Sequence, residues 1–187
     1  MDMFEGVGRR LDRSTGTLVN IGQNSLNGYE RKVLFRNNGD GTFTDVAFVN
    51  GVARVEDGRG LSVFDYDRDG HVDILIRNYR QPANLLRNQG GSGHWLELKL
   101  VGVRSNRDAV GARVRVRTAS GVQSRAVAAG SAYLSNSSLV QHFGLGAAVR
   151  ADVVEIDWPS GGHTRLQDIE ADHRYDIVEG VETALAR

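Results

Sequence analysis

Apolar and polar residues alternate with a period of two along much of this chain, and this pattern restricts its fold more than any other feature. In one segment, for example, Ala112, Val114 and Val116 alternate with arginines. Successive side chains of a strand point to opposite faces, so the alternation predicts strands with one buried face. No helical periodicity persists beyond about ten residues, so the sequence predicts an all-β protein. Strands are expected at 17–21, 32–37, 42–48, 61–64, 72–77, 84–87, 96–100, 112–117, 122–128, 139–143, 154–158, 163–167 and 174–178.

The composition of the chain changes at residues 88–93, which read Asn-Gln-Gly-Gly-Ser-Gly and predict a flexible link. Acidic glycine turns precede this link and longer alternating strands follow it, so we expect two domains, at 1–90 and 91–187. Residues 33–37 resemble residues 84–88, and this interval of about fifty residues is typical of propeller blades. Because a closed propeller has about four to eight blades, the first domain is expected to be a partial propeller-type sheet.

Composition excludes several classes of function. The 187 residues include 23 basic and 23 acidic side chains, and this zero net charge gives no reason to expect a nucleic-acid or anionic-membrane partner. The absence of cysteine excludes disulfides, thiol nucleophiles and cysteine-ligated metals. No apolar run is long enough for membrane insertion, and residues 1–6 lack the features of a signal peptide. We expect either a cytosolic protein or a mature or truncated form of an exported one.

The segment from Asp65 to Asp73 is the densest source of chemistry in the sequence. Its aspartates stand at positions 1, 3, 5 and 9 of nine residues, where like charges repel unless a cation lies among them. Calcium takes oxygen ligands from such acidic, glycine-containing loops. The alternative is a solvated acidic turn without a metal. If calcium binds, the expected ligands are the carboxylates of Asp65, Asp67, Asp69 and Asp73 and the backbone carbonyl of His71, with Gly70 making the sharp turn.

This loop does not match an EF-hand. Position 12 of an EF-hand loop carries a bidentate acidic ligand, whereas the corresponding residue here is Ile76. The flanking segments also alternate like strands rather than helices. We therefore expect the loop to connect the two strands of a β-hairpin.

The chain resembles two known families in turn. The acidic loop with its flanking strands, followed by Asn84-Leu85-Leu86-Arg87-Asn88, resembles an FG-GAP (VCBS-type) repeat, and residues 34–46 resemble the closing half of a preceding repeat. Segments 106–114, 129–135, 142–146 and 158–161 resemble an ASPIC/UnbV domain. Together they resemble the C-terminal part of cartilage-acidic-protein-like proteins.

This resemblance implies an FG-GAP sheet packed on a C-terminal β-sandwich or barrel-like ASPIC/UnbV domain, with calcium in a structural role. It also implies that the protein is secreted, periplasmic or on the cell surface. Members of the family carry a run of repeats upstream, whereas this chain has about one and a half. Related proteins are encoded among enediyne-biosynthesis genes, which implies secondary metabolism as another setting.

Several residues in the second half of the chain allow two interpretations. Phe143 and Trp158 are expected in the core. His142 is interpreted as a hydrogen-bonded structural histidine, with metal ligation as the alternative. The polar group Tyr133, Ser135, Asn136 and Ser137 is interpreted as a hydrogen-bonded turn, with a sugar-binding surface as the alternative.

No familiar catalytic motif is present, although Asp108 near Arg107 and Asp172 near His173 suggest candidate acid–base pairs, with surface turns as the favoured interpretation. We therefore expect a calcium-binding, non-catalytic interaction or structural module, and leave the question of an enzyme open. Its partner is expected to be another protein or a second copy joined through exposed β edges. Two alternatives stay open: an accessory protein or enzyme of enediyne-type biosynthesis, and an adhesive module that binds carbohydrate.

Overall fold

The computed structural model describes residues 9–11, 18–20, 30–130 and 132–187, and all the regular structure in these ranges is β-strand. This confirms the all-β prediction. None of these residues belongs to a helix that is long and apolar enough to cross a membrane. The strands of the first half are β1 (Arg9–Leu11), β2 (Leu18–Asn20), β3 (Phe35–Asn37), β4 (Phe43–Asp45), β5 (Gly58–Phe64), β6 (Asp73–Asn78) and β7 (Asn84–Leu86). Those of the second half are β8 (His94–Val101), β9 (Arg113–Thr118), β10 (Gly121–Ala126), β11 (Gln141–Gly146), β12 (Arg150–Asp157), β13 (His163–Glu170), β14 (His173–Val178) and β15 (Ala184–Ala186).

The chain forms two compact units, and the division between them runs through β5 and β6. One unit contains the described residues up to Arg59 together with Arg77–Ala83, and the other contains Gly60–Ile76 and Asn84–Arg187. The acidic loop therefore belongs to the same unit as the strands of the second half.

In the first unit, β1 pairs with β2 and β3 pairs with β4, both antiparallel. The turn between β3 and β4 is stabilised by side chains that accept local hydrogen bonds. Asn37 accepts the N–H of Gly39 at 2.8 Å, and Asp40 accepts the N–H of Thr42 at 2.9 Å. These Asx-type bonds explain why the Asn-Gly-Asp-Gly sequence turns the chain at this point.

The second unit is built around a sandwich of two four-stranded sheets, in the orders β10-β9-β12-β13 and β11-β8-β14-β15. Neighbouring strands are antiparallel except β8 and β14, which are parallel. Neither sheet closes on itself, so of the two predicted forms the sandwich is the one observed. Inward-facing residues of both sheets make one core: Leu96, Leu98, Leu100, Val114, Val116, Phe143, Leu145, Val154, Ile156, Leu166, Tyr175 and Ile177, with Trp158 at the end of β12.

This core follows from the alternation seen in the sequence. Leu96 and Leu98 are fully buried, and each such side chain contributes roughly 1.5–3 kcal/mol through removal from water. Phe143 and Trp158 are buried too, as predicted, and the indole N–H of Trp158 donates to the hydroxyl of Thr164 at 2.8 Å. Glu97, between the two leucines, points to the opposite face of its sheet.

A three-stranded sheet in the order β5-β6-β7 carries the acidic loop. Its β5 edge is covered by a segment of the same chain. The hydroxyl of Ser135 accepts the N–H of Leu61 at 2.9 Å, and the hydroxyl of Ser137 accepts the N–H of Val63 at 3.3 Å. The N–H of Ser138 donates to the carbonyl of Val63 at 3.3 Å. The hydrogen-bonded interpretation of this polar segment is confirmed, and the β5 edge is not open for strand addition along this stretch.

Candidate metal centre

The acidic loop joins β5 to β6, which lie side by side in the sheet, so the hairpin prediction is confirmed. Two of its residues, Arg68 and Gly70, adopt left-handed backbone conformations with φ of 62° and 86°. Glycine reaches this region without steric cost, whereas arginine does not. The loop therefore depends on local bonds that hold it in this conformation.

Asp65 supplies most of these local bonds. Its carboxylate accepts the N–H groups of Arg68 at 2.7 Å, Asp69 at 3.2 Å and Gly70 at 2.8 Å. Asp65 thus fixes the turn at the start of the loop.

Asp73 closes the loop from the other end. It is fully buried, with one carboxylate oxygen accepting the N–H of Tyr66 at 3.1 Å and the other accepting the N–H of Asn88 at 2.7 Å. A buried carboxylate is costly without such partners. Asn88 follows β7, so Asp73 connects the loop to the third strand of the sheet.

Carboxylate oxygens of Asp65, Asp67 and Asp73 lie within 4.8 Å of one another. Calcium binds oxygen ligands at about 2.3–2.6 Å, so two ligands on opposite sides of the ion lie up to roughly 5 Å apart. Three hard, anionic oxygens at this spacing therefore fit Ca²⁺. The ion would neutralise charges that the loop brings close together.

The other two predicted ligands, Asp69 and His71, lie outside this group of three carboxylates. Asp69 accepts the N–H of His71 at 2.9 Å, and this bond, together with the nearby charges of His71 and Arg87, lowers the pKa of its carboxyl. The ring of His71 lies against Gly90, where a β-carbon would come within 2.4 Å of Nε2. Calcium ligation by Asp69 and by the His71 carbonyl stays a prediction.

Arg87 is a partner of the loop that the sequence reasoning missed. Its guanidinium donates to Asp67 at 2.8 Å and to Asp69 at 2.9 Å, and the charge of Asp67 raises the pKa of the arginine. Two of the four aspartates thus have a cationic partner within the chain. The signal was present in the sequence, because Arg87 belongs to the segment that repeats residues 33–37.

Gly70 fixes the loop against the sandwich. A β-carbon on Gly70 would lie 2.0 Å from Cε2 and Nε1 of Trp95, so only glycine fits there. On the other side of the contact, Nε2 of His142 donates to the carbonyl of Gly70 at 2.8 Å. The rings of Trp95 and His142 stack with centroids 6.3 Å apart. The structural interpretation of His142 is confirmed, and burial lowers the pKa of its imidazole despite the Gly70 bond.

A second carboxylate site, centred on Glu179, was also missed. One oxygen of Glu179 accepts the N–H groups of Val103 at 2.8 Å, Arg104 at 2.7 Å and Ser105 at 2.7 Å. The other oxygen accepts the hydroxyls of Ser105 and Ser160. Burial by itself raises the pKa of Glu179, but these hydrogen bonds outweigh it and bring the pKa to about 2.

Asp172 is paired with a different histidine from the one that the sequence suggested. It accepts a bond from Nδ1 of His94 at 2.7 Å and the N–H of Trp95 at 3.2 Å. Nδ1 of His173 instead donates to the carbonyl of Ala171 at 2.7 Å. The Asp172–His173 pair is therefore not formed, and the favoured interpretation holds, because Asp172 lies in the exposed bend that precedes β14.

Two family descriptions match this chain in separate segments. The family described as ASPIC and UnbV matches residues 102–184, which include Glu179 and its donors. The FG-GAP-like repeat matches residues 18–76, which include the acidic loop. Both families predicted from sequence are thereby confirmed.

Curated relatives give the same result. Cartilage acidic protein 1 of Mus musculus is 36% identical over 137 residues, covering 70% of this chain and 21% of that protein. The Homo sapiens protein is 35% identical over 137 residues, covering 70% of this chain and 20% of its own length. The Xenopus tropicalis protein is 44% identical over 61 residues, which is 32% of this chain and 9% of the relative. The chain thus spans about a fifth or less of the length of these relatives.

Proposed function

The chain is a homologue of cartilage acidic protein 1 that carries an FG-GAP-like repeat and an ASPIC and UnbV domain, and from this premise we propose that it is a calcium-binding, non-catalytic interaction module of the extracellular type. The observation that carries the calcium assignment is the approach of three aspartate carboxylates within 4.8 Å. Sites of this kind outside cells bind calcium at roughly 10⁻⁴–10⁻³ M. An exported protein would hold the ion wherever the free calcium concentration exceeds this range.

Calcium has a structural role in this proposal. The acidic hairpin already contacts the sandwich through Gly70, with Trp95 on one side and His142 on the other. An ion that neutralises Asp65, Asp67 and Asp73 would hold this hairpin in place rather than open a new surface. Because the ion binds only the folded chain, it would add stability by mass action.

Thermal unfolding in calcium and in EDTA tests this assignment. At calcium concentrations 100 times Kd the expected gain is about 2.7 kcal/mol, which raises Tm by roughly 5–10 °C for a chain of this size. Asp67→Ala is expected to melt at the same temperature in both buffers. Isothermal titration would give the stoichiometry and the preference for Ca²⁺ over Mg²⁺.

A matched control is available in the second unit. Asp108 is exposed and lies outside the loop, so Asp108→Ala should keep the full calcium response. Identical melting curves for the wild-type chain with and without calcium would refute the metal assignment. A calcium response that survives in Asp67→Ala would place the ion elsewhere in the chain.

The interaction role is supported by exposed apolar side chains in the first unit. Phe35, Phe43, Phe48 and Val49 are between 61% and 83% exposed, which is unusual for large apolar residues without a partner. We propose that this surface contacts another protein or a second copy of the chain. Light scattering after size-exclusion chromatography tests self-association, and a strict monomer with and without calcium would count against a second copy. A glycan array with and without EDTA tests the carbohydrate alternative.

A further inference from the structure

A cavity of about 340 Å³ lies within the second unit, beside the acidic loop, and Asp65, one of the three clustered carboxylates, contributes to its lining. This volume is near the lower end of the range for small-molecule sites, about 300–1,000 Å³. Strands β5, β8 and β10 and the segment 137–142 all contribute to its walls. Much of the lining is apolar, from Val63, Phe64, Val72, Ala126, Ala128 and Val140.

Glu97 is the unusual member of this lining. Its side chain is only 6% exposed, and its carboxylate forms no hydrogen bond or ion pair with any residue in the described ranges. Burial and the charge of Asp65 raise the pKa of Glu97, while the charges of Arg174, its register partner on β14, and of Arg68 oppose them. A carboxylate in such a largely buried position gains from a cation placed against it.

The other charged groups of the cavity already have partners. Asp65 accepts three N–H groups of the loop, and Nε2 of His142 donates to the carbonyl of Gly70. The guanidinium of Arg125 lies 5.2 Å from the ring centroid of Phe143, a cation–π contact. Among the charged groups that line the cavity, Glu97 is therefore the one whose carboxylate accepts no hydrogen bond from the described residues, although the charge of Arg174 on the neighbouring strand acts on it.

We propose that this cavity binds a small organic cation, an ammonium or guanidinium group on a compact apolar body, with the charge against Glu97. A single free carboxylate suits such a cation better than a metal ion, because calcium takes six to eight oxygen ligands. The apolar walls would receive the body of the ligand. This site goes beyond the proposed calcium-binding role, and because the two share Asp65, binding is tested with the calcium site saturated.

The test uses the full chain in saturating calcium and three probes of similar shape: phenethylammonium, phenethyl alcohol and phenylacetate. Titration calorimetry gives the affinities, and ¹H–¹⁵N NMR maps the binding position. We expect phenethylammonium to bind on the order of tenfold or more tighter than the alcohol, as for one charge-assisted hydrogen bond. Phenylacetate should bind weakest, and shifts should concentrate at the cavity residues.

Three variants keep the proposal falsifiable. Glu97→Gln should remove the preference for the cation, and Ala126→Leu should weaken all probes by filling the cavity, since Ala126 lies in its lining. Glu182 is exposed and lies outside the cavity, so Glu182→Gln should change neither the preference for the cation nor the affinity for the probes. Equal affinity for the ammonium and the alcohol, an unchanged preference in Glu97→Gln, or no detectable binding with shifts in the cavity would each overturn the proposal.

Discussion

Two carboxylate sites in the second unit are stabilised in opposite ways. At Glu179 a single carboxylate receives five hydrogen bonds from backbone amides and hydroxyls. In the acidic loop, by contrast, three carboxylates converge within 4.8 Å. The first site directs five donors at one charge, whereas the second brings three charges close together.

This difference determines whether each site requires a cation to balance its charge. Glu179 is complete within the chain and joins the loop of Val103–Ser105, the turn at Ser160 and the end of β14 without any ion. The acidic loop receives amide donors at Asp65 and Asp73 and a guanidinium at Asp67, yet its charges still repel one another. We infer that the carboxylate of Glu179 joins neighbouring loops through hydrogen bonds, whereas the carboxylates of the acidic loop serve as cation ligands.

Glu179→Gln should have the largest effect on stability. The amide keeps one accepting oxygen, but its NH₂ group cannot accept the hydroxyls of Ser105 and Ser160, which must turn to accept instead, and all five bonds lose the assistance of the charge. We expect Tm to fall by more than about 10 °C, equally in calcium and in EDTA. Differential scanning calorimetry in both buffers measures the loss, and Glu182→Gln, on the exposed surface, serves as the control.

The pH dependence of the Glu179 site gives a second measurement on the same variant. Its folded pKa is lowered from 4.5 to about 2, so the stability that it contributes is present above about pH 4.5 and is lost as the pH falls toward 2. The difference in Tm between wild-type chain and Glu179→Gln should therefore shrink across this interval. A difference that is constant from pH 6 to pH 2.5 would contradict a role for the charge.

Gly70→Ala should cause the next largest loss of stability. It changes the packing of the acidic loop without changing its charge. The new β-carbon meets Trp95 at 2.0 Å, and the backbone φ of 86° is strained for alanine. We expect a loss of about 2–3 kcal/mol and a change in Trp95 fluorescence as the indole is displaced. Urea unfolding followed by tryptophan emission measures both.

Gly41→Ala is the matched control for this substitution. Gly41 has the same φ of 86° but no atom within 4 Å of its β-carbon position, so it carries the backbone strain without the clash. Its expected cost is about 1 kcal/mol. Equal losses in the two variants would show that the contact with Trp95 contributes nothing to holding the loop.

The sequence predicted the parts of this molecule that depend on local patterns. Alternation along 96–100, 112–117 and 154–158 predicted β8, β9 and β12, because a period of two places every second residue on the buried face. The hairpin around the acidic loop was predicted for the same reason. The parallel pairing of β8 with β14 and the strand β15 were not predicted, since nothing local distinguishes them.

The candidate site was predictable only in part, for a related reason. Its aspartates are close in sequence, whereas Trp95 and His142 reach Gly70 only through the folding of distant strands. Glu179 likewise accepts bonds from residues more than seventy positions earlier. Such contacts depend on the order of strands in the sheets, which the spacing of residues along the sequence does not reveal. The predicted division into domains at 1–90 and 91–187 stays a prediction.

Arg87→Gln should cause the smallest loss of stability. It tests most directly whether the acidic loop, unlike the Glu179 site, needs a cation. Arg87 supplies the positive charge that pairs with Asp67 and Asp69, and its side chain is 53% exposed. A half-exposed ion pair contributes about 1 kcal/mol or less. We expect Tm in EDTA to fall by a few degrees and the loss in calcium to be smaller, because the ion neutralises the same carboxylates. Melting curves in the two buffers measure both losses.

The control for Arg87→Gln is Arg36→Gln, since Arg36 occupies the corresponding position of the earlier copy of the motif and is exposed. The difference in Tm between that variant and the wild-type chain should be the same in calcium and in EDTA. If Arg87→Gln loses the same stability with and without calcium, the arginine and the ion act independently, and the acidic loop is compensated within the chain as Glu179 is. If the loss disappears in calcium, the two cations share one charge-neutralising role, and the contrast between the two carboxylate sites holds.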